Sequence, residues 1–152
     1  MSRKRSPVGL SESERLVRRF MDALQSPYVA TKLQELITSD FHWHTARGED
    51  VWPRIPGFFD LLWNRTTDGV SFTVHGVVAA ADRVAVEAES YVPFDNGTVY
   101  NNLYHFLFVL RDGRIEAVRE HCDTAHAAQV LGPLLQQHGA GGGPSPFNPE
   151  QQ

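Results

Sequence analysis

The sequence predicts an α+β domain: three helices, then a curved antiparallel sheet packed on one face by those helices, then a short C-terminal helix. Two observations carry this. Apolar residues recur at helical spacing through the first 63 residues, and from residue 70 the period drops to two. Asn96-Gly97 and Asp112-Gly113 then separate consecutive strands with tight-turn dipeptides, so neighbouring strands pair as hairpins and helices cover one side of them.

The elements follow in order. "SESE" at 11–14 has the capping-box form, with Ser11 accepting from first-turn amides and Glu14 reaching back. Leu16, Val17, Phe20, Met21 and Leu24 then make one apolar stripe, and Pro27 stops the helix. A second helix holds Val29, Leu33, Leu36 and Ile37. "DFHWHT" at 40–45 is a short extended piece, and "VWPRIPGFFDLLW" from 51 is a proline-started third helix. Strands are expected from 70 to 75, over 83–92, over 99–110 and over 114–122. Asp123 or Thr124 caps a last helix, 125–131, that Gly132 ends. The predicted domain is 10–135, between a basic, polar tail at 1–9 and a Gly/Pro-rich flexible tail at 136–152.

A chain of 152 residues suits one domain, and 41% apolar content supplies a core. A net charge of −4 gives no drive toward nucleic acid, and "RKR" at 3–5 is a solvated terminus. The single cysteine, Cys122, cannot form an internal disulfide, which points to a reducing compartment. No apolar run is long enough for a membrane span and no signal peptide is visible, so a soluble, cytoplasmic protein is expected. No phosphate loop, nucleotide fingerprint or zinc motif occurs, so no cofactor and no metal are expected.

Alternation sorts the strand residues into faces. Val84, Val86, Ala88, Ser90 and Val92 share one face, and Glu87, Glu89 and Tyr91 the other. Tyr100, Asn102, Tyr104, Phe106 and Phe108 oppose Leu103, His105, Leu107 and Val109. Val118, Glu120 and Cys122 oppose Arg119 and His121. The strand over 99–110 is apolar on both sides, so it is central and covered twice, the outer cover being a partner subunit. Periodicity does not say which sets meet on one face of the sheet. A charged strand residue ordinarily faces solvent, so Glu87 and Glu89 on their own pattern read as outward.

"FMDAL" at 20–24, "DGRI" at 112–115 and "VREHCD" at 118–123 resemble the limonene-epoxide hydrolase and SnoaL-like group of the ketosteroid isomerase and nuclear-transport-factor-like superfamily. The resemblance runs from about 10 to 135. It implies a cone-shaped, barrel-like fold, a bent sheet wrapped around an apolar pocket roofed by helices, and a homodimer. It places one catalytic acid at Glu120 and the arginine and second acid at Glu87 and Glu89. The water-holding pair falls on Trp43 and Thr45, and the pocket wall on Met21, Tyr91, Asn102, Tyr104 and Cys122. This sequence departs from the group's epoxide hydrolases where Glu87 stands for the arginine and where Trp43 and Thr45 replace the water-holding pair.

Clustered buried carboxylates cannot all ionise, so Glu120, Glu89 and Glu87 together would provide an acid and a base. Tyr104 or Asn102 could then donate to an oxyanion. The expected function is cofactor-independent acid–base catalysis on a small, largely apolar molecule: isomerisation, cyclisation, dehydration or epoxide opening. The alternative is a non-catalytic hydrophobic binding protein of the same fold. His44 is a further candidate base, and His42 with His44 has metal-like spacing but no third ligand. His105 and His121 fall on the outer face, and Asp123 reads as a helix cap. Cys122 reads as a small hydrophobe, since no cation is positioned to form its thiolate.

Overall fold

The computed structural model describes residues 10–137. The predicted tail at 1–9, and the predicted tail from 138 onward, lie outside the described residues. Helix α1 (Glu12–Ala23) begins at Ser11, whose hydroxyl accepts from the Glu14 amide at 3.1 Å. The Glu14 carboxylate turns to Arg18 (3.8 Å). Val17, Phe20, Met21 and Ala23 bury the inner stripe. Helix α2 (Val29–Gln34) is shorter than its pattern suggested: Leu36 lies beyond its end, and Ile37 opens strand β1 (Ile37–His44). Both side chains are buried anyway. A short apolar run serves either element, and tertiary pairing decides.

A 3-10 turn (Trp52–Arg54) leads into α3 (Ile55–Arg65), with Pro56 in its first turn where a missing N–H costs nothing. Strands β2 (Ser71–Ala80), β3 (Arg83–Pro93), β4 (Val99–Tyr100), β5 (Leu103–Arg111) and β6 (Arg114–Cys122) follow. The β2–β3 turn places Ala81 at φ 51°, and the β5–β6 turn places Asp112 and Gly113 at φ 51° and 73°. The sheet order is β1-β6-β5-β3-β2, with β4 beside β3.

Three expectations are corrected. The sheet is mixed: β1 runs parallel to β6 while the remaining pairs are antiparallel. The sheet is curved but open, with β1 and β2 at its edges, so it is not a barrel. Pairing partners leave no mark in the period of a strand, which is why the pattern missed both. The last helix, α4 (Thr124–Gln137), passes through Gly132 and Pro133 and carries the domain to 137. Ala127, Leu131 and Leu134 are all buried along one of its sides, and that packing outweighs the local breaking signals.

The expected strand over 99–110 is interrupted at Asn101 and Asn102, between β4 and β5. Asn102 repairs the gap. Its amide nitrogen donates to the Asp123 carbonyl (2.9 Å), and its oxygen accepts from the Asp123 amide (3.1 Å). It therefore stitches the start of β5 to the end of β6. β5 does hold the middle of the sheet. Its inner side chains, Tyr104, Phe106 and Phe108, are buried against the helices.

Candidate active site

Register across β3, β5 and β6 builds the site. Val86 pairs with Phe106 and Phe106 with Glu120; Ala88 pairs with Tyr104 and Tyr104 with Cys122. Glu120 thus stands on the inner face amid aromatic neighbours, and β1 brings Trp43 alongside through its pairing with Val118. The indole N–H of Trp43 donates to Glu120 Oε2 at 2.7 Å in a fully buried contact. Phe106 lies edge-on to Trp43 and stacks on Tyr104, at centroid distances of 6.3 and 5.0 Å.

These side chains enclose a hollow roofed by Ile55, Phe58, Phe59 and Leu62 of α3. Its free volume is about 20 Å³, room for one water molecule. Anything larger than a water molecule can enter only if the roof or the aromatic wall moves.

None of the ion pairs among the described residues includes Glu120. Burial pushes its carboxyl up to about 7, against the smaller opposing pull of the Trp43 N–H and the Cys122 thiol. An acid that exchanges its proton near neutral pH suits either direction of proton transfer. The Tyr100 and Tyr104 hydroxyls lie 2.7 Å apart, and Asn102 donates to Tyr100 Oη at 3.0 Å. Burial raises both phenols above their ordinary range, and the Glu120 charge adds to this. They stay neutral donors. Burial also raises Cys122, with Glu120 contributing, which keeps it a thiol.

Of the residues singled out by sequence, Glu120, Trp43, Tyr104, Asn102 and Cys122 come together here. Glu87 and Glu89 do not. They alternate with the buried Val86, Ala88 and Ser90 and therefore stand on the outer face. Glu89 accepts from Asn101 (3.0 Å) and meets His75 (2.8 Å), contacts that hold its carboxyl below the ordinary range, Asn101 first. The three-acid cluster is thus overturned by strand parity: the convergence was carried across from the family's positions, whereas the charged-residue pattern pointed outward. Tyr91 shares that outer face and is 50% exposed. His44 is on the outer side of β1, stacked on His42, and Thr45 lies just past the strand. Met21 is buried in the main core below α1 and does not line the hollow.

Tyr100, Ser90, Phe72 and Phe106 line the hollow but were not marked as site residues. Their two-residue alternation with buried neighbours was the available signal. His42 is engaged by Asp50 at 2.7 Å. Among the described residues no three His, Cys, Asp or Glu side chains group so as to hold a metal ion.

An α+β cone with one buried acid inside an aromatic hollow is the class of domain that fold and site define. The SnoaL-like domain model matches residues 17–118, and the chain belongs to that family. Solved structures share the fold at low identity. A candidate SnoaL-like polyketide cyclase from Jannaschia sp. CCS1 is 20% identical, covering 86% of this chain and 97% of its own, with a TM-score of 0.65. An LEH-like epoxide hydrolase from M. tuberculosis is 19% identical over 84% and 94%, at 0.63. AclR, a candidate hydroxylase from Streptomyces galilaeus, is 13% identical over 82% and 98%, at 0.67. No protein of curated function matches the sequence.

Proposed function

We propose that this protein is a cofactor-independent enzyme that moves a proton on a small, largely apolar carbonyl compound, with Glu120 as the shuttling group. The observation that carries the reading is the buried Glu120 carboxyl, held by the Trp43 N–H in an aromatic hollow and poised at about 7. Glu120 would take a proton from the carbon beside the carbonyl. The developing negative charge would sit on the carbonyl oxygen, with Tyr104 donating to it and Tyr100 supporting Tyr104. A preorganised donor of this type is worth about 3 kcal/mol in a dry site. Returning the proton elsewhere gives isomerisation. Attack of the enolate on a second carbonyl gives cyclisation, and loss of a β-hydroxyl gives dehydration. Among the described residues no second acid lines the hollow, which ranks these reactions above epoxide opening. The Jannaschia neighbour described as a polyketide cyclase is consistent with the cyclisation branch.

The test is deuterium exchange beside the carbonyl in a panel of apolar cyclic and polycyclic ketones, followed by NMR in D2O. Exchange with the wild type and none with Glu120→Gln supports the reading. Saturable binding of a panel member without exchange in either protein overturns it in favour of a hydrophobic carrier. The carrier is the second reading because the hollow is apolar apart from Glu120, Ser90, the Trp43 N–H and the two phenols.

A further inference from the structure

Asn102 sits in the break between β4 and β5 and is 2% exposed, where an unused polar group is heavily penalised. Every group on it is used. Its Oδ1 accepts from the Asp123 amide at 3.1 Å, and its Nδ2 donates to the Asp123 carbonyl at 2.9 Å. A backbone N–H can only donate and a carbonyl can only accept, so these two bonds fix which end of the side-chain amide carries the hydrogens. The second Nδ2 hydrogen goes to Tyr100 Oη at 3.0 Å. The Asn102 backbone amide donates to Ser90 Oγ at 3.2 Å. Asn102 therefore supplies a hydrogen to two buried hydroxyls, and both of those hydroxyls touch Tyr104: Tyr100 Oη at 2.7 Å, and Ser90 through its side chain. Among the described residues neither hydroxyl has another acceptor for its own hydrogen. A buried hydroxyl that cannot donate costs free energy. Tyr100 and Ser90 thus donate and Tyr104 Oη accepts, which leaves the Tyr104 hydrogen as the one not used within the wall.

We propose that Asn102 is a positioning residue: it sets the direction of the hydrogen bonds around the two phenols, so that the Tyr104 hydroxyl is the one left free to donate into the hollow. This rests on the reading of Tyr104 as the donor to a bound carbonyl. It adds what that reading needs, a reason why Tyr104 does not donate to Tyr100 instead. The hydrogens that Tyr104 receives also polarise its own O–H, because hydrogen bonds in a chain strengthen one another. Asn102 never meets the ligand in this scheme; Tyr104 lines the hollow and Asn102 stands behind it. Aspartate at this position is the discriminating change. It keeps the size of the side chain and the acceptor for the Asp123 amide, but it offers Tyr100 an oxygen in place of an N–H. Tyr100 would then turn its hydrogen to that oxygen, and Tyr104 would donate to Tyr100 and be lost to the ligand.

The first test reads the direction by NMR with no ligand added. Of the four tyrosines, Tyr28 and Tyr91 are exposed, so slowly exchanging hydroxyl protons belong to the buried pair. In the full chain labelled with 13C-tyrosine, the proton of the 2.7 Å bond between the phenols is expected to couple through bonds to the ring carbons of Tyr100. Coupling to Tyr104 overturns the proposal, and this wild-type result decides even where a variant at 102 is unstable. In Asn102→Asp the shared proton should pass to Tyr104. The second test is turnover in the ketone exchange assay, read on the plateau of each pH profile. Asn102→Asp should lower kcat at least about tenfold with KM nearly unchanged. That loss should not add to the loss in Tyr100→Phe: the double variant should match Tyr100→Phe within about twofold. A merely structural Asn102 would cost the same in both backgrounds. That outcome, or a shared proton that stays on Tyr100 in Asn102→Asp, overturns the proposal. A wild type with the proton on Tyr100 but no ketone exchange would remove the proposed reaction and leave the direction of the bonds standing.

Discussion

Replacing Glu120 with Gln tests the burial of that carboxyl without needing a substrate. Burial holds the group at about 7 against an ordinary 4.5. Each unit corresponds to about 1.4 kcal/mol, so keeping Glu120 ionised in the folded chain costs about 3 kcal/mol. Below pH 4.5 both folded and unfolded chains hold the proton. Between 4.5 and 7 the unfolded chain releases it first, so stability falls as pH rises, and above 7 the loss is complete. Glutamine keeps the shape and can still accept from Trp43 but never charges. The difference in unfolding free energy between Glu120→Gln and wild type should therefore grow by about 3 kcal/mol from pH 4.5 to pH 8. For a chain this size that is a relative shift of ~10 °C in thermal midpoint. Urea titrations of both proteins at several pH values read it directly, and other titrating groups cancel in the difference. Parallel curves, with no growth in the gap, would refute the claim that Glu120 is dry and unpaired.

Trp43→Phe removes the N–H that favours the ionised carboxyl. The Glu120 midpoint should move further up, by roughly one unit, as read from its carboxyl stretch against pH by infrared difference spectroscopy. Tyr104→Phe should lower kcat about 10²- to 10³-fold with little change in KM if the phenol meets charge only in the transition state. Glu87→Gln and Glu89→Gln should leave turnover within about twofold, because both lie outside the hollow. Asn102→Ala strands the Asp123 backbone groups and the Tyr100 hydroxyl, and should cost about 2–4 kcal/mol in urea unfolding.

The fold was legible where a local period carried it. The α1 stripe, the β2-to-β6 alternation and the Asp112-Gly113 turn each follow from a repeat or a backbone requirement visible in a few residues. The parallel pairing of β1 with β6 was not, because it joins residues 37–44 to 115–119 and depends on no local signal. The same limit explains α4. Gly132 read as a stop, whereas Leu131 and Leu134 on either side of it are 1% exposed and hold the helix together.

The candidate site divides along the same line. Alternation correctly separated Ser90, Tyr104 and Glu120 from Glu89, His105 and His121 within each strand. It could not align one strand's faces with the next, and transferring family positions onto Glu87 and Glu89 placed them against their own parity. The consequence for chemistry is specific. Two acids that share a proton titrate as a coupled pair, in two separated steps. Among the described residues Glu120 has no ion-pair partner and no second acid beside it in the hollow, so its proton passes to a ligand or to the one water the hollow admits. Under the proposed function, Glu120 is both the base that starts the reaction and the acid that ends it. This suits rearrangements in which a proton leaves one atom of a bound molecule and returns to another, and disfavours hydrolysis that needs a second group to activate water.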